Sequence, residues 1–425
     1  MSPIQNPPQT LEDVFARLCV FGSPFNDPPF NFVANGSSGI TGASKISSCN
    51  GWGSGVIPTP QSSNLCNPYD DGFLHCDPLA RQRENPALRR LRWFSDMRGM
   101  VLLLAKDHHE SRTLQETLKM LTREEFSIIF LELISHVPEL MVDSFGNYVV
   151  QRMVEICSEE QLNQIVLSVT QYNFQLVKIC LISHGIRAVE KLLEHLTTQE
   201  QRSRVISALS PGAAVLAKDV NGHRALLHCL KHFSCEDNKH LLNMVAMKCF
   251  WIAIDKTGCC VLQQCLNNAQ GGTKKNMIDA ILFNASVLAE DRYGNYVVQH
   301  LLSLKIPGLA ERLLRQLEGK FFYLSCNKYG SNVVEKFFLD SGGLCSAFII
   351  FELLHNPNVR MLLVDPYGNY VIKSALLVSK GGVRNALERL IKLNSMIMQS
   401  NMYGKKLLAW FHRSKNINMD YSDFV

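Results

Sequence analysis

The chain has 425 residues, and its 43 basic and 38 acidic residues give a formal net charge of +5 at pH 7. The charge is uneven, because residues 1–80 hold two basic residues against six acidic ones and the rest of the chain carries about +9. This excess predicts an anionic partner for the remainder. The longest apolar runs, residues 126–134 and 347–354, are too short for a bilayer and each contains a glutamate, so we expect no membrane-spanning segment.

Fourteen cysteines would suit a disulfide framework only in a short secreted chain. Here several lie in apolar helical runs, such as Cys157, Cys180, Cys229 and Cys265, and we interpret them as small buried hydrophobic residues in a reducing compartment. The first ten residues show neither the basic nor the apolar segment of a signal peptide. These features together predict a cytoplasmic protein, with a nuclear or organellar location as the alternative.

Residues 1–84 form a low-complexity arm rich in Pro, Gly, Ser and Asn, which we expect to be disordered because it offers little apolar surface to bury. Residues 11–20 have the spacing of a short amphipathic helix or of a peptide motif for a partner, and a transient helix without a role is the simpler interpretation. Asn85 and Pro86 are placed as the N-cap and first residue of a helix. A folded domain is therefore expected over residues 85–425.

From about residue 97 the sequence repeats itself. The segment DRYGNYVVQ at residues 291–299 has near-copies at 143–151, 327–335 and 365–373. Apolar residues recur at three- and four-residue spacing between breaks of Gly, Pro, Asn or Asp, which predicts helices, and no strand alternation persists. A period near 36 residues predicts a repeat architecture.

Alignment on the glycine of this segment gives eight units, each with a five-residue core. The cores begin at residues 111, 147, 186, 223, 259, 295, 331 and 369, so successive cores lie 36, 39, 37, 36, 36, 36 and 38 residues apart. A further segment, residues 401–411, keeps the glycine-then-helix pattern without the polar core. This last segment is typical of a terminal cap that closes a repeat array.

The residues just before each core indicate how its helix begins. In six units an aspartate or asparagine precedes the glycine by three residues, where it can accept a free backbone N–H, and the glycine permits a tight turn into the helix. These residues are Asp143, Asp219, Asp255, Asp291, Asn327 and Asp365. The first unit has Glu110 in place of the glycine, which allows a different helix start there.

Within each core, positions one and five lie four residues apart on one helical face, and position two projects about 100° away. Positions three and four are mostly apolar and are expected to pack inward. The polar residues at positions one, two and five therefore form a stripe along the inner face of a stacked array. Their donor and acceptor types vary from unit to unit, which is the pattern expected of a recognition code.

The eight cores resemble those of Pumilio (PUF) family RNA-binding proteins over residues 85–425. The resemblance implies an all-α fold, namely an α-solenoid crescent of eight three-helix repeats with terminal caps, preceded by the disordered arm. It also implies that the concave face binds single-stranded RNA, one base per repeat, with the last repeat at the 5′ base. The expected partners are mRNA 3′ untranslated regions and effector proteins of translation repression or mRNA decay, and the protein itself is expected to be a monomer.

The resemblance and the side-chain chemistry predict two sets of RNA contacts. The base-edge set is Ser111, Gln115, Asn147, Gln151, Glu190, His223, Cys259, Gln263, Asn295, Gln299, Ser331, Glu335, Asn369 and Lys373. The base-stacking set is Arg112, Tyr148, Arg187, Arg224, Cys260, Tyr296, Asn332 and Tyr370. Asn/Gln pairs offer donors and acceptors to uracil, an ionised glutamate accepts from guanine, and the family pairs a small residue with glutamine for adenine. Aromatic rings and guanidinium planes supply stacking surfaces.

Taken from repeat eight to repeat one, the cores predict the element UGUANNUA. Lys373 replaces the glutamine of a uracil repeat, and its ammonium donates to O4 or O2 but cannot accept from N3–H. Ile186 and Leu227 cannot bond a base edge, so repeats three and four are expected to tolerate several bases, with Glu190 biasing its position toward guanine.

Other interpretations were weighed against this one. An α-solenoid scaffold for proteins, or a ribosome-biogenesis factor that binds structured RNA, are the alternative functions. The cluster Cys259, Cys260 and Cys265 lacks a second cluster with which to form a zinc site. A Cys₃His site is open to Cys49, Cys66, His75 and Cys76, but their irregular spacing disfavours it. No nucleophile, base and acid are arranged as in an enzyme, so we expect no metal, no cofactor and no catalytic activity.

Overall fold

The computed structural model describes residues 97–420, with side chains through residue 414. The predictions for residues 1–84, for the motif at 11–20, for the helix start at Asn85 and for a site involving Cys49 lie outside these residues. The described residues contain helices and turns and no strand. None of these helices is long and apolar enough to cross a membrane.

Twenty-five α-helices follow one another with short connections. In chain order they are α1 Val101–Lys106, α2 Glu110–Leu118, α3 Arg123–Leu133, α4 Val137–Val142, α5 Gly146–Ile156, α6 Glu159–Val169, α7 Gln175–Cys180, α8 Ser183–His195, α9 Gln199–Leu209, α10 Ala213–Lys218, α11 Gly222–His232, α12 Lys239–Met247, α13 Cys249–Ala253, α14 Gly258–Asn268, α15 Gly271–Phe283, α16 Ala285–Glu290, α17 Gly294–Ser303, α18 Leu309–Leu317, α19 Phe321–Cys326, α20 Gly330–Asp340, α21 Gly343–His355, α22 Gly368–Val378, α23 Gly381–Leu393, α24 Ser395–Ser400 and α25 Met402–Asp420. A 3₁₀ helix, Val359–Leu363, takes the place of the short helix before α22.

The helices form eight three-helix repeats, which confirms the predicted fold class. Each repeat has a short first helix, a second helix that carries the five-residue core, and a third helix that completes the unit; repeat one, for example, is α1, α2 and α3. Helices α24 and α25 follow repeat eight, and α25 packs against α22 as a terminal cap. We call the second helix of each repeat its core helix.

Core helices pack against core helices along the array, and third helices pack against third helices. Thus α5 contacts α2 and α8, while α12 contacts α9 and α15. The apolar third and fourth core positions lie between these layers as predicted, for example Val149 and Val150, which are fully buried. Burying one such side chain stabilises the fold by roughly 1.5–3 kcal/mol, so the repeated valine pairs hold successive repeats together.

The glycine in the first turn of a core helix allows a close approach to the short helix before it. A Cβ atom on Gly185 would lie 2.1 Å from the carbonyl oxygen of Ile179, and one on Gly258 would lie 2.4 Å from that of Ile252. Both glycines are buried in ordinary helical conformation. The tight start predicted from the sequence therefore has a packing cause, because any side chain would push the core helix away from its short helix.

We expect the substitution Gly185→Ala to destabilise the protein by about 1–3 kcal/mol, since the added methyl group overpacks a backbone contact. Gly272→Ala is the matched control, because a Cβ there meets no atom within 4 Å and φ is not positive. Urea unfolding followed by circular dichroism measures both variants. Equal midpoints for the two variants would show that this close approach is not needed for stability.

Candidate nucleic-acid interface

Seven of the eight core helices begin on a carboxylate or amide that accepts two backbone hydrogen bonds. The exception is α8 of repeat three, where Ile182 precedes the helix and makes no side-chain cap. In repeat two, Asp143 Oδ1 accepts from Phe145 N–H at 2.9 Å and from Gly146 N–H at 2.7 Å. The same pair of bonds occurs at the other residues predicted from the sequence, which are Asp219, Asp255, Asp291, Asn327 and Asp365. The prediction of a side-chain cap is therefore confirmed, and the cap fixes where the core begins.

Repeat one begins its core helix in the same manner, although Glu110 replaces the glycine. Asp107 Oδ1 accepts from His109 N–H at 2.8 Å and from Glu110 N–H at 2.9 Å. These two backbone bonds hold the pKa of Asp107 below its usual value, and the bond from Glu110 has the larger effect. The core helix of repeat one therefore starts with the same cap bonds as the other capped core helices, and the different start that the sequence allowed is not observed.

The three predicted contact positions differ consistently in exposure. Position one is buried in seven of the eight repeats, position two is exposed in seven, and position five is half-buried in all eight. Asn147, Tyr148 and Gln151 in repeat two show the pattern, with Tyr148 41% exposed and Asn147 fully buried. The array thus presents one stacking-type side chain and the end of one longer polar side chain from most repeats.

In the Asn/Gln repeats, the asparagine side chain at position one is hydrogen-bonded to the glutamine side chain at position five. Asn147 Nδ2 donates to the carbonyl oxygens of Asp143 at 2.8 Å and Ser144 at 3.0 Å, and Asn147 Oδ1 accepts from Gln151 Nε2 at 3.0 Å. Repeat six has the same network around Asn295 and Gln299. Both N–H groups of the asparagine are therefore used within the protein, and the glutamine keeps Oε1 and a second N–H for a ligand.

Where position one is small, the glutamine bonds to the helix backbone. Gln115 Nε2 donates to the Ser111 carbonyl oxygen at 3.1 Å, and Gln263 Nε2 donates to that of Cys259 at 3.1 Å. Burial raises the pKa of Cys259 to about 12, so its side chain is a neutral thiol at physiological pH. In these repeats the glutamine is again restrained by one hydrogen bond, and the side chain at position one is smaller than asparagine.

Repeats seven and eight contain two contacts that the sequence analysis missed. Ser374 Oγ donates to Glu335 Oε2 at 2.7 Å, and the Lys373 ammonium lies 5.2 Å from the centroid of the Trp410 ring in the cap helix α25. The lysine is therefore a partner of the cap in this structure. The sequence shows an unusual lysine at position five of repeat eight, but it gives no indication that Trp410 lies beside that lysine.

Predicted contact residues of neighbouring repeats line a shared depression on the surface. This depression is lined by Cys260 and Gln263 of repeat five together with Tyr296 and Gln299 of repeat six, and Lys336 lies at its side. Between repeats two and three, Arg187 Nη1 donates to the Tyr148 hydroxyl at 3.2 Å. Positions two and five of successive repeats thus share one surface, although their roles in RNA contact remain predictions.

Metal ions in proteins are bound by clusters of His, Cys, Asp and Glu side chains. Residues 97–420 contain no group of three His, Cys, Asp or Glu side chains arranged to hold a metal ion, and the ten described cysteines are free. Cys180, Cys229 and Cys265 are buried as predicted, and Cys157 is half-buried.

This fold and surface define an α-solenoid that presents a repeated polar and stacking unit. Comparison with known proteins identifies the repeat: the model of the Pumilio-family RNA binding repeat matches residues 101–134, 136–170, 183–210, 213–246, 248–282, 284–304, 320–354 and 358–387. The chain belongs to the Pumilio family of RNA-binding repeat proteins.

Relatives of known sequence and structure agree with this assignment. Pumilio homolog 12 of Arabidopsis thaliana is 40% identical over 315 residues, which cover 74% of this chain and 53% of that protein. Putative pumilio homolog 7, chloroplastic, of the same plant is 39% identical over 314 residues, which cover 74% of this chain and 48% of that protein. The chain thus spans about half the length of these two relatives.

Two solved structures have the same fold. The Puf4 RNA binding domain bound to HO endonuclease RNA 3′ UTR recognition sequence is 32% identical with a TM-score of 0.62, over 72% of this chain and 97% of that one. PUF-8 in complex with PBE-RNA is 26% identical with a TM-score of 0.60, over 80% of this chain and 99% of that one.

Cys260 provides a direct probe of the surface, because it is exposed at position two of repeat five, where a base-stacking residue is predicted. We expect iodoacetamide to alkylate Cys260 and the exposed Cys235 in the free protein, since exposed thiols react fastest. Cys235 lies in the loop before α12, outside the core helices. An RNA containing UGUANNUA is expected to slow the reaction of Cys260 several-fold and leave Cys235 unaffected, as measured by peptide mass spectrometry. Unchanged alkylation of Cys260 would place the RNA elsewhere.

Proposed function

We propose that this protein binds single-stranded RNA sequence-specifically, recognises UGUANNUA-type elements in mRNA 3′ untranslated regions, and represses translation or promotes decay through effector proteins. The observation that carries the proposal is the constant geometry of the eight core helices, whose fifth position is half-buried in every repeat and whose second position is exposed in all but one. The bound RNAs of the Puf4 and PUF-8 structures support it. The proposed orientation places repeat eight at the 5′ base.

The local chemistry supports a different base for each type of core. In Asn/Gln repeats the asparagine side chain fills the space beside the glutamine, which suits the smaller uracil ring, as at Asn295 and Gln299. In repeats with Cys or Ser at position one, the glutamine stands beside a smaller side chain, which suits adenine, as at Cys259 and Gln263. Glu335 presents carboxylate oxygens that accept from the N1–H and N2–H₂ donors of guanine.

The stacking side chains account for affinity with little base preference. Tyr148, Tyr296 and Tyr370 are 41%, 55% and 50% exposed. A base stacked on such a ring contributes on the order of 1–3 kcal/mol. Most of the binding free energy is therefore expected from position two, and most of the discrimination from position five.

A binding assay tests the proposed element. Fluorescence anisotropy with the full chain is expected to show tight binding to an oligonucleotide containing UGUAAAUA and much weaker binding when UGU is changed to ACA, because three adjacent repeats lose their base-edge hydrogen bonds. Equal affinity for the two oligonucleotides would refute sequence-specific binding by these repeats.

A change of two residues tests the register between repeats and bases. The double substitution Ser331→Asn and Glu335→Gln gives repeat seven the pair found in repeat six, so preference at the second base is expected to move from guanine toward uracil. The reciprocal substitution Asn295→Ser and Gln299→Glu is the matched control, and it should move the third base from uracil toward guanine. Competition binding with all four bases at each position measures both shifts, and a shift at any other position would contradict the register.

A protein-binding scaffold is the second candidate, and one observation favours it. Exposed apolar side chains occupy the third position of four successive short helices, namely Val215, Trp251, Val287 and Tyr323, which are 54%, 61%, 60% and 68% exposed. Isolation of the protein from cells with and without ribonuclease tests the scaffold: a scaffold keeps all its partners after the treatment, whereas an RNA-binding protein loses the partners that it holds through RNA. We place the protein in the cytoplasm as a monomer; imaging of a fluorescent fusion and analytical ultracentrifugation test these two statements.

A further inference from the structure

Two repeats carry a glutamate at position five, and the two carboxylates have different surroundings. In repeat seven, Glu335 Oε2 accepts one hydrogen bond from the neutral Ser374 hydroxyl at 2.7 Å. In repeat three, Glu190 Oε1 accepts from Arg224 Nε at 2.9 Å, and Glu190 Oε2 accepts from Arg224 Nη2. Arg224 is the position-two residue of the next repeat, where repeat eight has Tyr370.

The bond pattern of Arg224 imitates that of guanine. Guanine would offer N1–H and N2–H₂ to a carboxylate as two parallel donors. Arginine offers Nε–H and Nη2–H in the same planar fork, and the two bonds to one carboxylate make a strong, charge-assisted pair. The fork already occupies both oxygens of Glu190, which is only 23% exposed at its side chain.

We propose that Arg224 prevents Glu190 from recognising guanine and is thereby the residue that sets the base tolerance of repeat three. This inference rests on the proposed function, because it concerns the sixth base of the UGUANNUA element. Arg224 acts through Glu190, so it is a positioning residue. Its own side chain, 41% exposed, keeps its planar group available for stacking.

The rest of repeats three and four agrees with this assignment. Ile186, at position one of repeat three, is fully buried and has no polar side-chain atom. Leu227, at position five of repeat four, also lacks one. Glu190 is thus the single polar side chain that repeat three has at its base-edge positions, and Arg224 occupies it. On this proposal Glu190 does not bias the sixth base toward guanine, in contrast to the prediction from the sequence alone.

An arginine at position two does not form this pair by itself. Arg187 has the same position in repeat three, but position five of the preceding repeat is Gln151, and Arg187 bonds to the Tyr148 hydroxyl instead. The pair requires both a glutamate at position five and an arginine at position two of the following repeat. Arg187 consequently provides a matched control for substitution of Arg224.

The test replaces Arg224 by tyrosine, because Tyr370 is the position-two residue of the repeat that follows Glu335. Full-length protein is titrated by fluorescence anisotropy with four oligonucleotides of sequence UGUAANUA. The base N, at position six, is a different one of the four bases in each oligonucleotide. We expect the unsubstituted protein to bind all four with similar affinity. Arg224→Tyr is expected to bind the guanine oligonucleotide tighter than the others by about fivefold or more, since one good bidentate pair discriminates by this much.

Three further variants define the cause. Arg224→Ala releases the carboxylate without adding a ring, so it should gain the guanine preference with weaker overall binding. Glu190→Gln added to Arg224→Tyr should abolish the preference. Arg187→Tyr should leave the sixth base unselected. Circular dichroism melting checks that each variant is folded.

The outcomes separate this inference from the proposed function. If the unsubstituted protein does not prefer UGUA oligonucleotides over those with UGU changed, the proposed function fails and the inference falls with it. If it does prefer them, but both Arg224 variants remain indifferent at base six, Arg224 does not block Glu190 and the inference alone is overturned. A guanine preference at base six in the unsubstituted protein would overturn it equally.

Discussion

The protein depends on the close packing of each core helix against the short helix before it. In seven of the eight repeats a glycine removes the side chain that would separate them, and in seven an aspartate or asparagine closes the turn with two backbone hydrogen bonds, as Gly294 and Asp291 do in repeat six. Because this contact fixes the first residue of the helix, it also fixes the direction of positions one, two and five. The geometry of the three predicted contact positions is thus a consequence of a backbone packing constraint that recurs along the array.

The graded exposure of the core separates three tasks that a single residue could not combine. In the Asn/Gln repeats, the buried asparagine at position one is bonded to backbone carbonyl oxygens and serves as an internal support. A half-buried position five is held on one side and free on the other, and an exposed position two offers a flat surface. Asn147, Gln151 and Tyr148 show this arrangement together. Variation at position five therefore changes which polar groups are presented without disturbing the packing of Val149 and Val150 beneath.

Much of this architecture was predictable from the sequence, because it depends on residues close together in the chain. The helical fold, the side-chain caps and the inward valines follow from spacings of three to five residues, and the repeat count follows from the recurrence of that pattern every 36 to 39 residues. Contacts between repeats were not predictable. The pairs Glu190 with Arg224, Glu335 with Ser374 and Lys373 with Trp410 join residues 34 to 39 positions apart, and their meeting depends on how one helix is placed against the next. The deep burial of Asn147 was missed for the same reason, since helical periodicity gives a direction but not the depth of the neighbouring helix.

The hydrogen bond between position one and position five has a thermodynamic consequence. Gln151 and Gln299 are restrained by Asn147 and Asn295 before any ligand arrives. Immobilising a free glutamine side chain costs about 1–2 kcal/mol in rotamer entropy. Here that loss belongs largely to folding rather than to association, so the array is preorganised, and a flexible strand is the component that must become ordered.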